Sequence, residues 1–236
     1  MSFFAMSDIH GCYDDFISML GKIEYDPDDC LILCGDYIDR GEQSCEMVKW
    51  IEEQKSPKVV LLRGNHEEEF IACVDILNTI DDSRPLLEIC TMLHNKLPVF
   101  DLYGTIRFLV SEKGFTLEDL NHWADLFKSM MLKFRRKIGA RIYMFVHAGY
   151  LKGKEAVLYA RREAYESGGM DGVTVVAGHT PTIIKGEFTY NNGDVFYYES
   201  GRKRFFDIDC GCFLKWKYEN AKLACIRLDD EKIFYV

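Results

Sequence analysis

The chain of 236 residues has no apolar run near the eighteen or so residues that a membrane-spanning helix needs, which argues against a membrane protein. It has no charged n-region or cleavage site ahead of Asp8, so a cytoplasmic location is expected. It lacks a basic excess. The formal net charge is −9, which disfavours a broad nucleic-acid or membrane surface, because phosphate backbones demand a positive face. Internal repeats, low-complexity stretches and Pro/Gly/Ser-rich linkers are also missing, leaving one domain as the expectation for this length. Nine cysteines are present, but Cys210-x-Cys212 has no second pair at zinc-site spacing. Reduced thiols are therefore expected, with Cys12 and Cys34 read as small apolar core residues.

What remains is the composition of an ordinary folded protein, 48% hydrophobic and 28% charged. The first third alternates short apolar runs with helical patterns. Phe3 to Met6 reads as a strand, followed by a helix from Tyr13 that Gly21 is placed to stop. Leu31 to Cys34 is a second strand, residues 43–54 a second helix, and Lys58 to Leu62 a third strand. Such alternation predicts βαβ units and a parallel sheet, whose ligands bind beyond the carboxyl ends of the strands. Residues 67–128 are mostly helical in pattern, with Thr116-x-x-Asp119 resembling a capping box, and read as an insertion that would shape a substrate groove. Strands resume at Arg141 to Val146 and Val173 to Ala177. Val195 to Tyr198, Lys222 to Leu228 and Lys232 to Val236 read as antiparallel strands joined by Asn192-Gly193 and Asp229-Asp230 turns. Two sheets face to face, flanked by helices, form the inferred α/β architecture.

Six polar blocks punctuate these runs: Asp8-Ile9-His10-Gly11, Gly35 to Gly41, Arg63-Gly64-Asn65-His66-Glu67, Val146-His147-Ala148-Gly149, Gly178-His179-Thr180 and Asp209-Cys210-Gly211. Taken singly, each histidine is more simply a packed or solvated residue, each glycine a turn and each arginine a surface ion pair. Four of the six histidines nevertheless fall inside the blocks, leaving only His94 and His122 to surface or helix packing. Each block follows an apolar run. Asp8 and His10 lie two apart at a strand end, so both can face one side of an extended loop. Asp36 opens the next loop and is the natural carboxylate to be shared between two ions.

In this order the blocks resemble the calcineurin-like metallophosphoesterase superfamily, and more narrowly its phosphoprotein phosphatase branch of small bacterial and phage serine/threonine phosphatases. The resemblance runs from Asp8 to Gly211 and is weak across residues 67–140 and after 212. It implies a four-layer sandwich of two mixed β-sheets flanked by helices. It implies Asp8, His10, Asp36, Asn65, His147 and His179 as ligands of two divalent ions, Mn²⁺ foremost, with Fe²⁺, Mg²⁺ or Zn²⁺ as alternatives. By the same likeness His66 is the general acid and Asp39 the carboxylate that orients it and raises its pKa. Arg40 and Arg63 are the planar donors for phosphate oxygens. A further phosphate-binding arginine matches Arg161, with Arg162 as the fallback. Asp209 stands behind the ligands, and Cys210 replaces the threonine usual in relatives.

The expected activity is hydrolysis of phosphomonoesters, by likeness phosphoserine or phosphothreonine in proteins, through direct attack of metal-bound hydroxide and without a phosphoenzyme. The expected partners are a phosphorylated protein or a small phosphoester, with no nucleic-acid polymer and no membrane, and the chain is taken as a monomer. The acidic run Glu67-Glu68-Glu69 and the −9 charge lean away from a highly anionic substrate, a lean weakened by the alternative reading of the run as a solvated helix start with Glu67 in the block. Two alternatives are a symmetrical bis(5'-nucleosyl)-tetraphosphate hydrolase, whose family members share the blocks, and a non-catalytic phosphate-binding or scaffold protein.

Overall fold

The computed structural model describes residues 1–166 and 170–236. They form two compact units, one of residues 1–65 and 131–236 and the other of residues 66–130.

The first unit holds ten strands in two sheets of five. In the first sheet β1 (Phe3–Met6), β2 (Cys30–Leu33) and β3 (Val59–Leu61) run parallel, linked by α1 (Tyr13–Lys22) and α2 (Ser44–Glu53). The hairpin of β9 (Ala224–Arg227) and β10 (Lys232–Tyr235) joins antiparallel to β1, giving the order β10-β9-β1-β2-β3. In the second sheet β4 (Lys133–Ile138) pairs antiparallel with β5 (Arg141–Val146), which runs parallel to β6 (Val173–Ala177). β8 (Lys203–Asp207) continues the parallel run and pairs antiparallel with β7 (Phe196–Ser200), giving β4-β5-β6-β8-β7.

Side chains alternate across each pleat, and the alternation builds the layers. Ala5, Ile32, Val60 and Ile226 from the first sheet meet Tyr143, Phe145, Val176 and Phe206 from the second in one buried cluster. The residues between these point the other way. Met144, Val146, Val175 and Ala177 pack with Val157 of α7 (Lys154–Tyr159) and Ala164 of α8 (Arg162–Glu166). Phe16 and Met19 of α1 and Met47, Val48 and Ile51 of α2 are likewise buried. The arrangement is the expected α/β sandwich of two mixed sheets with helices outside.

The second unit is helical. α4 (Leu86–Lys96), α5 (Thr105–Glu112) and α6 (Leu117–Ser129) follow α3 (Asn65–Leu77), whose first residue closes the first unit. Phe70, Trp123, Phe127 and Phe115 form its aromatic core, with ring centroids 5.1–6.2 Å apart. The capping box forms: the Thr116 side chain accepts from the Asp119 backbone N–H, and the Asp119 carboxylate accepts from Thr116. His94 faces the Phe100 carbonyl oxygen at 2.8 Å, in keeping with a packing role. Among the described residues no helix is long and apolar enough to cross a membrane.

Some boundaries differ from the sequence reading. Gly21 does not stop α1, which continues to Lys22. The left-handed residue that ends the helix is Glu24 (φ 51°), with Tyr25 N–H closing on the Leu20 carbonyl at 3.0 Å. The Asn192-Gly193 turn precedes β7 rather than joining two strands. β4 and β8 carry no apolar run to announce them. β4 is the edge strand Lys-Phe-Arg-Arg-Lys-Ile, exposed at most positions, and its charges guard an unpaired backbone edge.

Candidate metal centre

The blocks lie where the sheets end. Asp8 and His10 follow β1, Asp36 follows β2, and Asn65 follows β3, while His147 follows β5, His179 follows β6 and Asp209 follows β8. The first two loops are laced together by their backbones: Asp8 N–H donates to Gly35 O (3.1 Å), His10 N–H to Asp36 O (2.9 Å) and Gly11 N–H to Tyr37 O (2.8 Å). Buried Tyr37 donates its hydroxyl to the Leu62 carbonyl at 2.7 Å, tying the second loop to the end of β3.

Holding these side chains in place strains the backbone. Ten non-glycine residues have positive φ among the described residues, and six of them are Asp8, His10, Asp36, Asp39, Arg40 and His179. Such conformations persist only where the surroundings over-determine them, and they concentrate at functional sites. Gly178 is required by close approach, since a Cβ there would lie 2.0 Å from Asp8 Oδ2. That same oxygen accepts from the His179 N–H at 3.0 Å.

Asp36 sits between two histidines. Its Oδ2 is 3.4 Å from His10 Nε2, and its Oδ1 is 3.4 Å from His147 Nε2. Asp8 Oδ1 is 3.9 Å from the same His10 nitrogen. Around His147 the donors crowd further: Asn65 Oδ1 lies 2.9 Å from His147 Nε2 and 2.9 Å from His179 Nδ1, and the two imidazole nitrogens are 3.3 Å apart. Asp8, His10, Asp36, Asn65 and His147 are all buried.

The tautomers make this crowding informative. His10 Nδ1 lies 2.9 Å from the Ile38 carbonyl oxygen, and His147 Nδ1 lies 2.9 Å from that of Cys34. Carbonyls only accept, so each Nδ1 carries the hydrogen and each neutral ring turns the lone pair of Nε2 toward Asp36. Lone pairs of imidazole, carboxylate and carboxamide thus converge on common points. Turning the Asn65 amide over would relieve its own contacts but leave Asp36 facing both rings. A positive charge among these atoms resolves the repulsion, and oxygen and imidazole donors without thiolate suit Mn²⁺, Fe²⁺, Zn²⁺ or Mg²⁺. The residues fit a pair of cations with Asp36 between them. Behind them Asp209 is buried, its Oδ1 accepting from Gly211 N–H at 2.9 Å. Burial, and then the charge of Asp8, push its carboxyl well above the usual range.

Asp39 is buried with its N–H on Ser44 Oγ (3.2 Å), and the Arg40 guanidinium lies 4.2 Å from the centroid of the Phe213 ring, which meets the His10 ring edge-on at 4.9 Å. Arg63 is half-buried and donates its N–H to the Met131 carbonyl at 2.9 Å. Arg161 is brought to Glu187, 3.4 Å away, beyond Tyr159 whose ring approaches His179 at 6.3 Å. His66 opens the second unit, fully buried in the first turn of α3 with its ring on Tyr103 at 4.5 Å. The reading of Glu67 as part of a solvated run is corrected: Glu67 is wholly buried. Sequence reasoning missed Phe213, Tyr37 and Tyr103. Tyr37 lay inside a block, but the other two sit outside every motif and carry no signal in a single sequence.

The family model of calcineurin-like phosphoesterases matches residues 1–183. A symmetrical bis(5'-nucleosyl)-tetraphosphatase of Klebsiella pneumoniae subsp. pneumoniae is 36% identical over 92 residues, 37% of this chain and 32% of the relative. Its namesake in Xanthomonas campestris pv. campestris is 41% identical over 73 residues, 30% of this chain and 22% of the relative. The matches thus span about a third or less of the curated relatives. Among solved structures, a candidate diadenosine tetraphosphatase superposes with a TM-score of 0.60 at 15% identity, over 99% of this chain and 92% of that one. A Saccharomyces cerevisiae serine/threonine phosphatase similar to human PP5 superposes with a TM-score of 0.54 at 15% identity, over 100% of this chain and 79% of that one. At such identities the likeness is one of fold. With the fold, the strand-end blocks and the matched span in agreement, the chain belongs to the calcineurin-like phosphoesterase family.

Proposed function

We propose that this chain is a two-metal hydrolase of phosphoric esters and anhydrides, and that its substrate class is the symmetrical dinucleoside tetraphosphate. The observation that carries the chemistry is Asp36, whose two oxygens face His10 and His147 at equal distance. Asp8, His10 and Asp36 would hold one ion, and Asp36, Asn65, His147 and His179 the other, with Mn²⁺ the first choice in vitro. Two such ions supply Lewis acidity and a nucleophilic water at neutral pH. Arg40, and with it Arg63 and Arg161, would bind nonbridging phosphate oxygens, and the Phe213 ring beneath Arg40 would keep its fork oriented. His66 would give a proton to the departing oxygen, with Asp39 raising its pKa and setting its tautomer. A complete donor set is poor support for a non-catalytic scaffold.

The substrate assignment departs from the phosphoserine reading. That reading rested on likeness to the phosphoprotein phosphatase branch, with a lean from whole-chain charge and the acidic run, whereas the two relatives of 36% and 41% identity are named for symmetrical tetraphosphate cleavage. Water adding to the second phosphorus breaks the central P–O–P bridge, and the two halves leave as two ADP. The protein-phosphatase reading stands second, favoured by the −9 charge. Side-by-side assays at one Mn²⁺ concentration should give a kcat/KM for diadenosine tetraphosphate at least tenfold above that for a phosphoserine peptide, with two ADP per substrate. A reversed ratio, or release of AMP and ATP, would return the phosphopeptide or an asymmetric cleavage to first place.

A further inference from the structure

Cys12 and Cys212 are far apart in the sequence, yet the fold brings them together on the first unit. Each follows a glycine in the left-handed region, Gly11 (φ 63°) and Gly211 (φ 75°). Cys12 is the residue before α1, and Cys212 opens a single 3₁₀ turn, Cys212–Leu214. The two sulfurs and a carboxylate oxygen of Asp15 all lie within 4.8 Å of one another. Cys212 Sγ is 3.5 Å from Asp15 Oδ2, and Cys12 Sγ donates to the His10 carbonyl at 3.7 Å. The other Asp15 oxygen accepts from Lys215 Nζ at 2.6 Å. The sequence reading of Cys12 as an isolated core residue is therefore incomplete.

We propose that Cys12, Asp15 and Cys212 form a binding site for a thiophilic divalent cation of the Zn²⁺ type, separate from the candidate phosphoesterase centre. Two thiolates and a carboxylate are a soft, tetrahedral-type donor set, in contrast to the sulfur-free Asp, His and Asn set around Asp36. The two sites would therefore sort metals by ligand type. Charge also closes. The cation displaces one proton from each thiol, two thiolates and one carboxylate carry −3, and the dication with the Lys215 ammonium returns +3. Three donors leave a fourth tetrahedral position, which water can fill. The site adjoins residues that matter: Phe213, next to Cys212, touches the His10 ring and underlies Arg40. Ligation would pin the turn carrying Phe213. The site itself does not depend on the proposed activity.

Cd²⁺ is a suitable probe, because its bonds to thiolate add a charge-transfer band in the ultraviolet, on the short-wavelength side of the aromatic bands, and its bonds to oxygen and imidazole do not. Reduced full-length protein, loaded beforehand with Mn²⁺, is titrated with Cd²⁺ alone and then with competing Zn²⁺. One equivalent should develop the thiolate band, and Zn²⁺ should remove it. Cys12→Ser and Cys212→Ser should each lower the band, and the double variant should lose it. Asp15→Asn should weaken binding by at least the roughly tenfold that even an outer-shell partner is worth. Cys210→Ser, two residues away and outside the cluster, should leave the band intact. If the native protein gives no band, if the double variant keeps it, or if Cys210→Ser abolishes it equally, the site is not there. Isolation of a Cys12–Cys212 disulfide that persists under reductant would overturn it as well.

Discussion

Asp36→Asn is expected to remove both metals and with them turnover. The substitution keeps the shape of the side chain and discards its charge. The two oxygens of Asp36 face His10 and His147, each at 3.4 Å. A terminal ligand such as His179 meets the Asn65 and His147 side of the cluster. Losing an outer-shell partner costs about 10–100-fold in metal affinity or activity. Losing the shared carboxylate should exceed that at both positions, so kcat on nitrophenyl phosphate should fall by more than about 100-fold. His179→Asn should instead weaken one ion and spare the other. Metal content and turnover, measured together on both variants, check this. Two retained ions and near-normal kcat in Asp36→Asn would show that another group joins the ions.

His66→Asn is expected to leave the metals bound and cut kcat by roughly 10²–10⁴ on an alkyl phosphate, the usual worth of general acid catalysis. The size of the loss should track the leaving group. An alkoxide needs a proton to depart, whereas nitrophenolate and the phosphate oxygen of ADP are already stable anions. The penalty should therefore be largest for a phosphoserine peptide and smaller for both nitrophenyl phosphate and diadenosine tetraphosphate. This comparison separates proton donation from mere positioning, since a positioning role would cost all three substrates alike. It also bears on the substrate question: an enzyme shaped for an anhydride has less to lose at His66.

The core of this fold was legible because its signals are local. Strands β1, β2, β3, β5 and β6 are short apolar runs, each ending at a polar block. The capping box at Thr116 was legible for the same reason. The edge strand β4 was not, because it faces solvent and carries charge in place of an apolar pattern, and β8 was not, because its two phenylalanines sit between charged residues. The end of α1 was misplaced because a left-handed stop is normally glycine and here is Glu24. At the site, the candidate ligand positions could be read from the blocks, but long-range pairings could not. Nothing near Cys12 announces Cys212, and nothing near Arg40 announces Phe213. The burial of Glu67 was hidden for the reverse reason, because three consecutive acids at a helix start look like a solvated face. The positive φ values of Asp8, His10, Asp36 and His179 were invisible too, since no single residue type marks a strained loop as it marks a turn.

Metal counting on chelated and reloaded protein tests the central claim most directly. Protein stripped by a chelator should hydrolyse neither nitrophenyl phosphate nor diadenosine tetraphosphate, and dialysis against Mn²⁺ should restore activity in step with about two ions per chain bound outside the cysteine pair, counted in the Cys12→Ser/Cys212→Ser background. Undiminished hydrolysis by the metal-free chain, or full activity with no ion retained, would contradict the two-metal account.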